Sequence, residues 1–354
     1  MIALSRLLIP RQQDAQTRSG LEAEIGTLGK SKFDELAELA SLNHVIVRVM
    51  EVMLGIFREA HDDERTQWAE AALATERARI GNALSFLDAV CAAITDEGYD
   101  ATVIKSLDHW PDIGSDLDLY TSARPEEISR LMQRRFQARI AARSWGDRLA
   151  CKWNFNLPGL PEAVEIHMGR LGQTGEQLAI AASVPRRAQA VSVAGRHFRV
   201  PSSSDRLMIS TLQRMYRHFY FRLCDILDSA GLAESGSIDY QDLERSAKTA
   251  GIWEGVATYL VIVSDYVQQY RGDGLSLPAP VRNSARFGGE LIYFARSFLR
   301  VPILPQSASL WGTQLTGLLR RREIESSARL GLLPWLATAA AVGQKITGSD
   351  KGIW

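Results

Sequence analysis

The chain has 354 residues, more than one average domain, and its 41 Lys and Arg balance 41 Asp and Glu to a formal net charge of zero. That neutrality argues against a general nucleic-acid binder, which carries a basic excess. The three cysteines, Cys91, Cys151 and Cys224, form no CxxC pair, which supports neither a disulfide framework nor a zinc site and points to a reducing, cytoplasmic setting.

The apolar N-terminus, residues 1–10, is too short for a signal sequence, and residues 10–30 read as polar and partly loose. Helices are predicted over Asp34–Ala40, Asn43–Phe57 and Thr66–Glu97. In the last of these, Leu73, Ile80, Leu84, Leu87, Cys91 and Ile94 recur at steps of three, four and seven. The pattern then changes to short strands at 102–104 and 116–121, a helix opened by Pro125 and running to Phe136, and strands at 149–155 and 163–168 around a Pro-Gly turn. A short helix at 175–182 and a hairpin at 191–200 follow.

Beyond Pro201 the chain reads as helical to its end. Ser203 or Ser204 caps a helix to Ala230, and others cover 240–250, 253–270, 288–299 and 310–322. The apolar stretch Leu330–Val342, 13 residues, falls short of the roughly 20 that a bilayer requires, so no transmembrane segment is expected. The expected class is α+β: a small mixed sheet at 99–200 between helical regions at 1–98 and 201–354.

Three acids carry the chemistry. In Gly114-Ser115-Asp116-Leu117-Asp118-Leu119-Tyr120 the alternation puts Asp116 and Asp118 on one strand face and the leucines on the other. Glu165, in Val164-Glu165-Ile166-His167, has the same setting on a later strand. Like charges this close repel unless a cation lies between them, and a divalent ion is the usual one. Three acids without cysteine or paired histidine ligands suit Mg2+, with Mn2+ as the alternative. Two such ions about 3.5–4 Å apart hold the attacking and leaving oxygens of an in-line displacement.

Other residues are candidates with a bland reading beside the functional one. Lys152 could neutralise phosphate or be a surface lysine. His167 shares the face of Glu165 and could orient it. His109 and Trp110 could stack on a base or pack a loop, and Asp108 and Asp112 read as turn residues. Arg214, His218, Arg222 and Asp225 make a polar stripe on the helix predicted from Ser204: either a salt-bridged face or a wall that contacts triphosphate, which the Arg fork suits.

The run Val103-Ile104-Lys105-Ser106, then Asp116-Leu117-Asp118 and the later Glu165-Ile166-His167, resembles the DNA polymerase β-like nucleotidyltransferase superfamily. It is most similar to a bacterial branch of largely uncharacterised members, over residues 101–168. The resemblance implies that Ser106 contacts phosphate, with Ser115 at the entry to the acidic strand, and that Asp116, Asp118 and Glu165 hold the metal. It implies transfer of a nucleoside monophosphate from an NTP to a hydroxyl of a small molecule, protein or RNA. The chain departs from the superfamily at Lys105, usually glycine there: lysine lacks glycine's backbone freedom but brings charge to the phosphates. That departure leaves an alternative, a catalytically weak binding or regulatory protein on the same fold. A third reading is a helical scaffold whose acids hold a structural cation.

Overall fold

The computed structural model describes residues 1–9, 15–295, 297–336 and 338–339. Its first lobe is helical: α1 (Ile2–Leu8), α2 (Ala15–Gly26), α3 (Lys30–Leu42), α4 (Ile46–Glu59) and α5 (Asp63–Asp96). The expectation of loose chain over 10–30 is corrected by α2, although residues 10–14 lie outside the described residues. Asp62 caps α5 by accepting from the Arg65 N–H at 3.0 Å, and Gly98, at φ +86°, follows its end. One window of α5, with mean hydropathy 1.2, is long and apolar enough to cross a membrane, a property that core helices share. Its Leu73, Ile80, Leu84 and Leu87 are buried in the protein.

The middle lobe holds β1 (Thr102–Val103), β2 (Asp116–Thr121), α6 (Pro125–Phe136), β3 (Arg139–Ile140), α7 (Trp145–Leu149), β4 (Lys152–Asn156) and β5 (Ala163–Met168). The sheet order is β1-β2-β5-β4-β3, with β2 and β5 parallel and the other pairs antiparallel. Leu117, Leu119, Val164 and Ile166 are fully buried, so the alternation in sequence becomes a sheet with one face sealed. The helix expected at 175–182 is displaced to α8 (Leu178–Arg187). The hairpin forms as β6 (Gln189–Val193) and β7 (Arg196–Val200), turning through Ala194 and Gly195, both at positive φ.

The last lobe corrects three expectations. Its first helix, α9 (Ser203–Gln213), is capped by Ser202, one residue earlier than expected, and stops far short of Ala230. A π-helical turn over Arg214–His218 follows, Phe219 takes a left-handed φ of +54°, and the chain enters β8 (Tyr220–Phe221) before α10 (Leu223–Glu234). After α11 (Tyr240–Ala250), α12 (Trp253–Arg271) and α13 (Ala279–Ser284), the helix expected at 288–299 is replaced by a 3-10 turn (Gly289–Leu291) and two short strands, β9 (Tyr293–Ala295) and β10 (Phe298–Arg300). Phe221 pairs with Leu299 and Tyr220 with Arg300, so backbone pairing between distant segments overrides two helical patterns. The chain is therefore not helical throughout beyond Pro201. It continues with α14 (Ala308–Arg320) and α15 (Ile324–Gly331); part of the apolar stretch 330–342 lies outside the described residues.

The class is α+β, mostly helical with small sheets. One continuous apolar core runs from Leu4 to Leu310 and joins all three lobes.

Candidate functional site

The β2–β5 register places Asp118 directly opposite Glu165, while Asp116 lies opposite Ala163 at the open end. Neighbouring strands lie about 4.8 Å apart, close enough for both carboxylates to share one cation. One ligand atom from each of Asp118, Glu165 and His167 lies within 4.8 Å of the others. Asp116 is exposed beside this group rather than in it. Strand β4 adds Lys152, paired with His167 across the ladder.

Charge pairing here is dense. Lys105 Nζ contacts Asp118 Oδ1 closely and lies 3.6 Å from Glu165 Oε1. Lys152 Nζ is 2.9 Å from both Glu165 Oε2 and Asp147 Oδ1. His167 Nε2 is 2.9 Å from Glu165 Oε1. Burial pushes Asp118 up to about 8, helped by the charge of Glu165 and opposed by the Lys105 ammonium. Glu165 goes the other way: burial would raise it, but Lys105, Lys152 and His167 together hold it well below the carboxylate range. Burial lowers His167 to about 4. The neutral ring then donates from Nε2 to Glu165 and leaves Nδ1, which has no partner, as a lone pair.

The segment before β2 is built around Lys105. The Ser106 N–H donates to the Ile104 carbonyl at 2.8 Å, closing a three-residue turn with Lys105 at φ +68°. A lysine thus occupies the backbone conformation for which glycine is the usual residue. Ser106 Oγ accepts from the Asp118 N–H at 2.7 Å and lies 3.3 Å from the Asp116 carbonyl, stitching the turn to the acidic strand. Asp108 and Asp112 are more than turn residues: Asp108 pairs with Arg206 at 2.6 Å, and Asp112 with Arg48 at 3.1 Å.

The facing wall comes from the irregular stretch 214–222. Arg214 is 1% exposed; its Nε lies 2.8 Å from Asp225 Oδ2 without hydrogen-bond alignment, and its Nη1 has no partner. Arg214, Arg222 and Arg300 surround the Tyr220 ring at 5.4, 5.8 and 5.2 Å from its centroid. Burial, with Arg217, Arg214 and Arg222 adding to it, holds His218 well below its usual value and therefore neutral. The polar stripe is not one face of a continuous helix; it converges because the helix breaks. Its salt-bridge reading holds for Arg214 and Asp225, yet the same Arg214 lines the cleft.

A cleft of about 240 Å3 is lined by Lys105, Ser106, Ser115, Asp116, Asp118, Lys152, Glu165, Arg214, His218 and Arg222 among the residues singled out from the sequence, whereas His167, Trp110, Asp108, Asp112 and Asp225 are not on its wall. His109, a candidate either to stack on a base or to pack a loop, is on its wall. His44, Gln213, Arg217 and Tyr220 line it as well and carried no signal in sequence. His44 belongs to a distant turn, and Arg217 enters only because of the π-helical turn. Arg217 makes no ion pair among the described residues. Five cations and three carboxylates thus face one cavity. That excess suits a polyanion, with the carboxylates confined to the floor.

The sequence matches no protein-family model and no curated protein.

Proposed function

We propose that this chain moves a nucleoside monophosphate from an NTP to a hydroxyl group, with release of pyrophosphate, and that the acceptor is a small molecule. The observation that carries this reading is the in-register opposition of Asp118 and Glu165 at the floor of a cleft whose opposite wall is cationic. The two opposed carboxylates, Asp118 and Glu165, fit one Mg2+ or Mn2+, with His167 holding Glu165 rather than the ion; a second ion would depend on the exposed Asp116. Such an ion, when bound, neutralises phosphate charge and lowers the pKa of the acceptor hydroxyl.

The remaining chemistry belongs to the chain's own side chains. Arg214, Arg217 and Arg222 receive phosphate oxygens, the first with an Nη1 that has no other partner. Lys152 and His167 fix both oxygens of Glu165, so the carboxylate is oriented before any ligand arrives. Lys105 exchanges its carboxylate partners for phosphate when the ion is present.

A second reading is favoured by one observation. Lys105 already sits against Asp118 and approaches Glu165, so the site is satisfied without a metal. On that reading the chain is a binding or regulatory protein. Incubation with each NTP, Mg2+ and a small-molecule cell extract separates the two. Transfer predicts Mg2+-dependent pyrophosphate release; the binding reading predicts NTP retained on the protein and no pyrophosphate.

A further inference from the structure

On the wall of the cleft, away from the acidic floor, three segments distant in sequence meet: the turn between α3 and α4, the loop between β1 and β2, and the start of α10. They bring together His44, His109 and Cys224, with one ligand atom from each within 4.8 Å of the others. We propose that these three side chains form a binding site for a thiophilic divalent transition-metal ion of the Zn2+ class. The site is distinct from the acidic one and independent of the nucleotidyl-transfer reading.

The geometry is prepared from several sides. His109 Nδ1 lies 2.5 Å from Asp228 Oδ2, which turns Nε2 toward Cys224 Sγ at 3.9 Å. A carboxylate behind a histidine is the arrangement that fixes the tautomer of a metal-ligating imidazole. Asp228 is held in turn by Arg48 Nη1 at 2.9 Å, and Arg48 Nη2 donates to the His109 carbonyl at 2.7 Å. Asn43 fixes the third ligand: its Oδ1 accepts from the Leu223 N–H at 3.0 Å and its carbonyl from the Cys224 N–H at 3.3 Å, so His44 is anchored against α10. The His44 Nδ1 is buried and has no hydrogen-bond partner. Gly114 makes room for the ring, since a Cβ there would lie 3.0 Å from His44 Cε1.

Two imidazoles and a thiol select a soft or borderline ion over Mg2+, which requires oxygen ligands. Arg214 and Arg222 oppose a cation here; the thiolate formed on binding and Asp228 offset them. The Cys-His-Asp alignment also resembles a nucleophilic triad. Cys224, however, is fully buried, so a substrate cannot reach its sulfur while a bare ion can. Both imidazoles line the cleft. Three protein ligands with one position open to a cleft is the pattern of catalytic rather than structural zinc.

The test is a Co2+ titration of the purified full chain in excess Mg2+ and without nucleotide. The proposal predicts a near-ultraviolet thiolate-to-cobalt band that saturates at one equivalent and is bleached by Zn2+. Cobalt at Asp118, Glu165 and His167 has no sulfur ligand and gives no such band. Cys224→Ser should abolish the band and Cys151→Ser should keep it. His44→Gln should weaken Co2+ binding about ten-fold or more, the loss expected when a metal site is disturbed, and it serves as the variant if Cys224→Ser fails to fold. No band in the wild-type protein, or a band that survives loss of the Cys224 sulfur, overturns the proposal.

Discussion

Lys105 carries two opposed demands. Its backbone adopts φ +68°, where an L-residue costs about 1–2 kcal/mol, while its ammonium is held against the Asp118 carboxyl group. Two substitutions separate these terms, because both remove the ammonium and only one retains a Cβ. Lys105→Gly should unfold at higher denaturant than Lys105→Ala by about 1 kcal/mol; equal stabilities would show that the turn is not strained. The same cluster sets a pH dependence for ion binding. With Asp118 pushed up to about 8, a proton competes with a divalent ion below that value. Mg2+ affinity should therefore fall as pH drops from about 8 toward 6 and level off above 8. Calorimetry showing affinity flat across that range would place the bound ion elsewhere.

At the scale of elements, the acidic strands were legible because their alternation is local. Asp116, Leu117, Asp118 and Leu119 state which face is sealed without reference to the rest of the chain. Asp116, Asp118 and Glu165, chosen in this way, do share one cleft. The break at 214–222 was not legible. Gln213-Arg214-Met215-Tyr216-Arg217-His218 continues a helical pattern, and what ends it is pairing of Tyr220 and Phe221 with a strand some eighty residues on. For the same reason residues 288–299 read as helix. The His44–His109–Cys224 group was equally hidden, since no spacing rule joins residues from three elements. Asn43 is the brace between two of those elements: its side chain accepts from Leu223 N–H and donates to the Leu39 and Ser297 carbonyls at 3.0 and 3.1 Å. Asn43→Ala strands these buried groups and should cost about 2–3 kcal/mol, read as a lower Tm; an unchanged Tm would show that the brace bears no load.

Across the whole molecule, one core unites three lobes, and the cleft lies where the sheet meets the irregular start of the last lobe. Charge is neutral overall but sorted locally, acids on the floor and guanidiniums on the wall. This sorting could not be read from composition. If the wall binds triphosphate, Arg222→Ala should raise the KM for NTP by about ten-fold, the loss of roughly one charge-assisted hydrogen bond, with little change in Tm because Arg222 has no ion-pair partner among the described residues. An unaltered KM would leave Arg222 as a packing residue over Tyr220 and Phe298.

The most direct test follows the label. NTP labelled at the α-phosphate and, separately, at the γ-phosphate is incubated with the protein, Mg2+ and a small-molecule cell extract. The account predicts that α-label moves onto an extract component while γ-label leaves in pyrophosphate, and that Asp118→Asn lowers both by a factor on the order of 10^3, as removal of a metal-holding carboxylate should. Gamma-label appearing on the acceptor, or Asp118→Asn turning over at the wild-type rate, would contradict it.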